Sequence, residues 1–477
     1  MNRIAEFTRV CVVSGLLLSL SDVSADWVRF RGPNGTGIAS DDQAPPTKWS
    51  DSENVKWKVP LPGPGSSGPI VLGEKVFVTY WSGYGVDAGN PGSMENLKMH
   101  LRCVNRGTGE TLWDKSVKAQ LPEQEYGGMF AQHGYASHTP VTDGERVYAF
   151  FGKTGVYAFD LEGKELWHAN VGSDLDQRGW GSASSPVLTD SGLVVLASIE
   201  NHSLVSLDKK TGKEQWKQEA EGFASTWGTP VVIGSGEAQE VVVGVPNEIW
   251  GLNAKTGKLR WYSEGVRGNS MTSSLVAVGK SVLASGDRGG GTIVVKTGGK
   301  GDVNESHIQW SGKDGGNITS PLVYDGRIYF VKSSIVNCRD ATTGEEIYSE
   351  RLPGGSAAPA GGGRGVGGER PGGGRPGGEY TPGQGGGGGR RGGPGGGRRG
   401  GGGRFGSPDY ASPVAAGGYL FQLTGKGETL VVKMGDKFDL VSKNSFASDS
   451  SNFSGTPAIS KGQLFIRSYQ NLYCIAE

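Results

Sequence analysis

The strongest constraint on this chain is an internal repeat. The phrase Cys103-Val-Asn-Arg-Gly-Thr-Gly-Glu-Thr-Leu-Trp113 returns as Ser206-Leu-Asp-Lys-Lys-Thr-Gly-Lys-Glu-Gln-Trp216 and as Gly251-Leu-Asn-Ala-Lys-Thr-Gly-Lys-Leu-Arg-Trp261. It recurs with Tyr in place of Trp from Cys338 to Tyr348, and one residue shorter from Ala158 to Trp167. A second phrase, Ser/Thr-Pro followed by aliphatics, marks Pro140, Pro186, Pro230, Pro321, Pro413 and Pro457, with a Gly-Pro version at Pro69. Thr272-Ser-Ser-Leu-Val276 is the same phrase with serine where proline would stand. Together these mark eight units, mostly about 45 residues apart.

Each unit reads as four short strands, because β-branched and aromatic runs are split by Gly and Asp turns. Asp160, Asp208, Asn253 and Asp340 precede the turn glycines, where a short polar side chain bonds turn amides and glycine accepts positive φ. One small twisted sheet cannot bury both faces alone, so units of this period stack as propeller blades. The fold expected is all-β, a single eight-bladed propeller of four-stranded antiparallel blades. The last unit stops after Leu472-Tyr-Cys-Ile475 without a Trp strand, while Val55-Lys-Trp57-Lys-Val59 is a Trp strand without a unit. The N-terminal strand is therefore expected to complete the last blade and remove an exposed edge. Trp57, Trp113, Trp167, Trp216, Trp261, Trp310 and Tyr348 are the expected blade-docking aromatics, with Phe438 in that role in the weak seventh blade.

The repeat, small-x-Asp-x-x-x-Gly-Lys-x-x-Trp, resembles the tryptophan-docking repeat of the pyrroloquinoline-quinone (PQQ) dehydrogenase superfamily. The chain as a whole resembles its cofactor-free, BamB-like branch. The opening Asp26-Trp-Val-Arg-Phe-Arg-Gly-Pro-Asn-Gly-Thr-Gly37 resembles exported propellers of planctomycete-type bacteria. The resemblance implies a fold far more than an activity, since one fold hosts many functions. In BamB-like scaffolds a loop with Leu and Arg-Gly before the third blade contacts the barrel-assembly partner, and Leu175 and Arg178-Gly179 stand in a similar loop. The acidic loop that accompanies it in the family is missing before Pro230, where this chain has Phe223 to Gly228.

Residues 1–25 read as a secretory signal: Arg3 and Arg9, an apolar run from Val10 to Leu20, and the small-residue site Val23-Ser24-Ala25. No later segment approaches the roughly 20 apolar residues of a transmembrane helix. Residues 26–353 then carry the closing strand and blades 1–6, and 407–477 carry blades 7 and 8. Between them, 354–406 is Gly, Arg and Pro, with eight arginines against Glu369 and Glu379, a segment expected to be disordered. The whole chain is formally neutral, so this basic insert hangs from a body of about −6 and is a candidate for weak polyanion contact. Export places the chain in the periplasm or outside the cell.

Mature-chain Cys103, Cys338 and Cys474 share one repeat position, filled elsewhere by Ala158, Ser206 and Gly251. That position asks for a small buried side chain, and free Cys serves as one; a bridge between Cys103 and Cys474 is the alternative. The dehydrogenases that the repeat resembles use Ca²⁺ held by carboxylates, an Asp base and a vicinal cysteine disulfide over the quinone. This chain has no adjacent cysteines, so PQQ with Ca²⁺ belongs only to the alternative reading, and no catalytic residue or metal ligand is assigned. The loops entering each first strand converge on the central channel. They offer His133, Tyr135, His138, Arg178, Trp180, Trp227, Arg267, Asn269, Asn317, Tyr410 and Phe453 as mouth residues. Aromatic, Arg and Asn side chains around a mouth suit an envelope protein or a glycan. The expectation is a non-catalytic binding propeller, with a quinone- or metal-dependent oxidoreductase as the rival and polysaccharide binding as the third reading.

Overall fold

The computed structural model describes residues 26–39, 44–87, 89–286, 290–313, 315, 318–332, 335–352 and 409–477. The signal-like segment, the Gly/Arg insert and Asn317 lie outside these residues. Among the described residues eight sheets, each with four antiparallel strands, form the blades: 70–118, 141–169, 187–219, 231–264, 276–312, 322–351, 414–444 and 458–475. The last blade takes its outer strand from the start of the chain: Val55–Pro60 pairs with Asn471–Ile475, Trp57 opposite Cys474. Among the described residues no helix is long and apolar enough to cross a membrane.

The repeat phrase turns out to serve the joint between blades. The side-chain oxygen of Asp208 accepts the amides of Lys210 and Thr211, and Asn253, Asp340 and Asp160 fold their turns in the same way. The glycine that follows is left-handed, and it is also a seat for the preceding blade's indole. A Cβ on Gly257 would lie 2.4 Å from Trp216, and one on Gly212 2.5 Å from Trp167. The indole N–H then donates to a carbonyl of the same turn: Trp57 to Arg106, Trp113 to Leu161, Trp167 to Lys209, Trp216 to Ala254 and Trp310 to Ala341. The small residue of the third strand is the cross-strand partner of the docking aromatic: Cys103 opposite Trp113, Cys338 opposite Tyr348, Ser206 opposite Trp216. The three described cysteines, Cys103, Cys338 and Cys474, are free and buried in this role.

Two docking expectations need correction. Blade 5 lacks the short Asp- or Asn-led turn; the longer segment 297–307 joins its last two strands, and Gly301–Asp302 adds a parallel strand beside blade 4. Trp261 is accordingly buried over Gly251 of its own blade, and its N–H donates to Glu240 Oε2 rather than to a neighbouring turn. In blade 7 the docking register falls on Ser442, opposite Val431, and Phe438 packs instead against Tyr348. The missing indole comes from the N-terminal segment: Trp49 is buried against Phe421, its amide held by Asn444.

Candidate functional site: a channel closed at one end

The Ser/Thr-Pro phrase builds the channel wall. The residue before each proline sends its amide N–H to the hydroxyl of the equivalent residue one blade on; in blade 5 that residue is Ser274, and Leu275, not a serine, takes the proline's place. Gly68 donates to Thr139, Thr139 to Ser185, Ser185 to Thr229 and Thr229 to Ser274. The chain continues from Ser274 to Ser320, Ser412 and Thr456, every step between 2.9 and 3.0 Å. Seven of the eight joints are latched in this way, and the eighth is not because Gly68 has no hydroxyl. A Cβ there would meet the Thr456 carbonyl oxygen at 2.7 Å. Arg467 of blade 8 stitches that joint instead, donating to Ser67 Oγ and the Thr79 carbonyl.

All eight of these residues face a cavity of about 600 Å³ on the propeller axis. A second layer, two residues earlier in each unit, also faces it: Ser66, Ser137, Ala183, Trp227, Thr272, Ile318, Tyr410 and Ser454. Extended chain turns alternate side chains to one side, which explains why two residues before the proline point inward and the residue between them does not. One end of the cavity is closed by residues 26–39. Trp27 pairs with Val71 of blade 1, the Val28 carbonyl accepts from Thr142 of blade 2, and Arg31 donates to the Pro321 carbonyl of blade 6. Gly37 and Ala39 then bond Ala415 of blade 7, so the strap crosses the floor and Phe30 lines it. Gly32 permits the crossing: with φ of +63°, it lies against the Trp27 ring where a Cβ would sit at 2.4 Å.

At the open end Trp180 and Trp227 meet with centroids 5.4 Å apart, and the Arg178 guanidinium lies 4.9 Å over the Trp227 ring. Arg178 is fixed there by Asp176, Ser225 Oγ and the Ala224 carbonyl, and Trp227 Nε1 donates to the Gly181 carbonyl. His133 bridges two loops, one ring nitrogen 2.6 Å from Ser137 Oγ and the other 2.5 Å from the Trp180 carbonyl. Burial holds its pKa below the ordinary histidine value. Arg267, Asn269 and Tyr410 complete the mouth.

The structure thus brings His133, Trp180, Trp227, Arg267, Asn269 and Tyr410 to one cavity, with Arg178 clamped on its rim. It does not bring Tyr135, His138 or Phe453 there. Tyr135 is buried beside Trp81 and Phe130, and its hydroxyl donates to the Gln124 carbonyl. His138 stands one residue before Thr139 and so points into the blade, to Ser182 Oγ beside Glu200; desolvation pulls its pKa to about 3. Phe453 stacks with Phe446 in the core. The hydroxyl layers, Phe30 and Met129 are lining residues that the loop reading missed, although the Ser/Thr before each proline was visible in the sequence.

A family profile described as outer membrane protein assembly factor BamB matches residues 97–350, a little over half of the chain. The chain belongs to this PQQ-like, BamB-like propeller family. Among solved structures it is similar to BamB from Moraxella catarrhalis, with TM-score 0.57 and 10% identity over 89% of this chain and 97% of that one. It is also similar to a europium-containing methanol dehydrogenase, with TM-score 0.60 and 11% identity over 96% and 99% of the two chains. The quinohemoprotein alcohol dehydrogenase of Comamonas testosteroni gives 0.57 and 11%, over 95% of this chain and 80% of that one. At such identities the likeness is one of fold. No curated protein matches the chain in sequence.

The family raises a PQQ centre with its calcium, and the residues present do not fit one. No Asp or Glu stands among the described residues lining the channel, whereas Ca²⁺ takes carboxylate oxygens. The described cysteines sit in three separate blades. Nowhere among the described residues do three His, Cys, Asp or Glu converge as metal ligands.

Proposed function

We propose that this chain is an exported, non-catalytic member of the BamB-like propellers, holding a cell-envelope ligand in the mouth of its channel. The observation that carries the reading is the channel itself: floored by the chain's own strap and framed at the mouth by Trp180, Trp227 and Arg267. Aromatic and Arg side chains around a concave mouth are the usual anchors of binding sites. Arg178 spends its donors on the protein and orders the two indoles before any ligand arrives, which lowers the entropy cost of binding. On this reading the Gly/Arg insert, which precedes Tyr410 in the sequence, adds weak contact with polyanions through its arginines.

Two experiments test it. Purified mature protein is mixed with PQQ and Ca²⁺; a quinone absorbance that co-elutes and bleaches on adding alcohol would establish the rival dehydrogenase. Envelope extracts are then passed over wild type, Trp180→Ala and an insert-deleted chain. The binding reading expects a retained component that Trp180→Ala loses, and retention indifferent to the mouth would sink it.

A further inference from the structure

The channel wall is uneven in its hydrogen-bonding character. Thr139, Ser185, Thr229, Ser274, Ser320, Ser412 and Thr456 each use the hydroxyl oxygen to accept a backbone N–H. A hydroxyl that accepts in this way still has a proton to donate, and none of the seven donates it to the wall. The deep layer is therefore a ring of O–H donors without a carboxylate among the described lining residues. Beneath it lies Arg31, buried, bonded to the carbonyl next to Ser320, with Nε and Nη1 unpartnered. Among the described residues Arg31 bonds only the Thr36 and Pro321 carbonyls and no acid, and the Arg267 side chain at the mouth makes no hydrogen bond. Donors at the bottom and an unpaired guanidinium behind them favour negative charge, because a buried cation without a counter-ion is costly.

The upper layer is different. Trp180, Trp227 and Tyr410 offer apolar ring surface beside Asn269 and Thr272, a mixture that suits a molecule with apolar faces and hydroxyl edges.

We infer that the lumen takes the acidic end of a saccharide: a uronate whose carboxylate sits among the hydroxyl donors above Arg31 while a sugar ring lies against Trp180 and Trp227. This rests on the mouth being the binding site, and it adds the chemistry of the ligand.

The probe is trigalacturonate, titrated calorimetrically into the full mature chain, against its methyl ester and a neutral trisaccharide. The acid is expected to bind at least tenfold more tightly than the ester, and Trp180→Ala and Thr272→Val to weaken it at least fivefold each. Thr272 makes no bond to the wall, so Thr272→Val keeps the ring intact, and a thermal melt verifies folding. Equal binding of acid and ester overturns the anionic assignment while leaving the mouth in place. Binding of the acid that ignores both variants overturns the location. If no saccharide binds, yet a mouth-dependent envelope component is retained in the extract experiment, the saccharide inference fails and the binding function stands.

Discussion

The dual use of the repeat glycine gives a sharp prediction for Gly257→Ala. At φ of +70° an alanine adopts the left-handed region, at a cost of about 1 kcal/mol. Its Cβ would stand 2.4 Å from Trp216 Cε3 and 2.6 Å from Cδ2, against an optimal carbon separation of roughly 3.5–4 Å. The indole must retreat by about 1 Å, which overpacks the seam at a cost of about 1–3 kcal/mol. The same retreat stretches the 3.1 Å bond to the Ala254 carbonyl, worth about 1 kcal/mol. The total is about 3–5 kcal/mol. Gly279→Ala is the control, because its φ is +58° and nothing lies within 4 Å of its Cβ, leaving about 1 kcal/mol of backbone strain. Urea unfolding of the two variants and of Gly257→Ala in a Trp216→Leu background measures both terms. A Gly257→Ala cost within the error of the control refutes the seat, as does a cost undiminished once the indole is gone.

Three further outcomes are expected. Ser274→Ala removes the acceptor of the Thr229 amide and should lower stability by about 1 kcal/mol in the same unfolding assay. His138 is held neutral when folded, its pKa near 3, while the unfolded chain protonates near 6.5; stability is therefore lost as pH falls through that window. By pH 5 the loss is about 2 kcal/mol, read as the difference between wild type and His138→Gln across pH, and a flat difference would contradict it. Burial raises the thiols of Cys103 and Cys474 to about 12 and that of Cys338 to about 11, so a thiol reagent at pH 8 should label none of them until denaturant is added.

Periodicity made the architecture legible, because a blade must repeat its small residue, its turn and its Trp to stack on identical neighbours. Where the repeat lapses, the sequence misleads: blade 7 lacks a Trp, and its replacement, Trp49, lies almost 400 residues earlier in the chain. No local pattern announces such a loan. The mouth was half legible for a related reason. Convergence of the entry loops was readable, but which side chains look inward depends on alternation counted back from the proline. Trp227 and Tyr410, two before Thr229 and Ser412, face the lumen; His138, one before Thr139, and Phe453, three before Thr456, face the blades. Arg31 and Phe30 were visible only as part of an opening motif, since nothing local says that this segment runs under the ring.

The unlatched joint at Gly68 falls beside the blade in which the two ends of the chain meet. Strand Val55–Pro60 must wait for partners at 471–475, so blade 8 cannot exist until nearly the whole chain has been delivered. Pairing at that separation is slow to form. Until then blades 1 to 7 are an open arc with two raw ends, and the last joint to form is the one without a hydroxyl latch. The same joint is the natural place for the circle to part under load, which makes Arg467 its clasp.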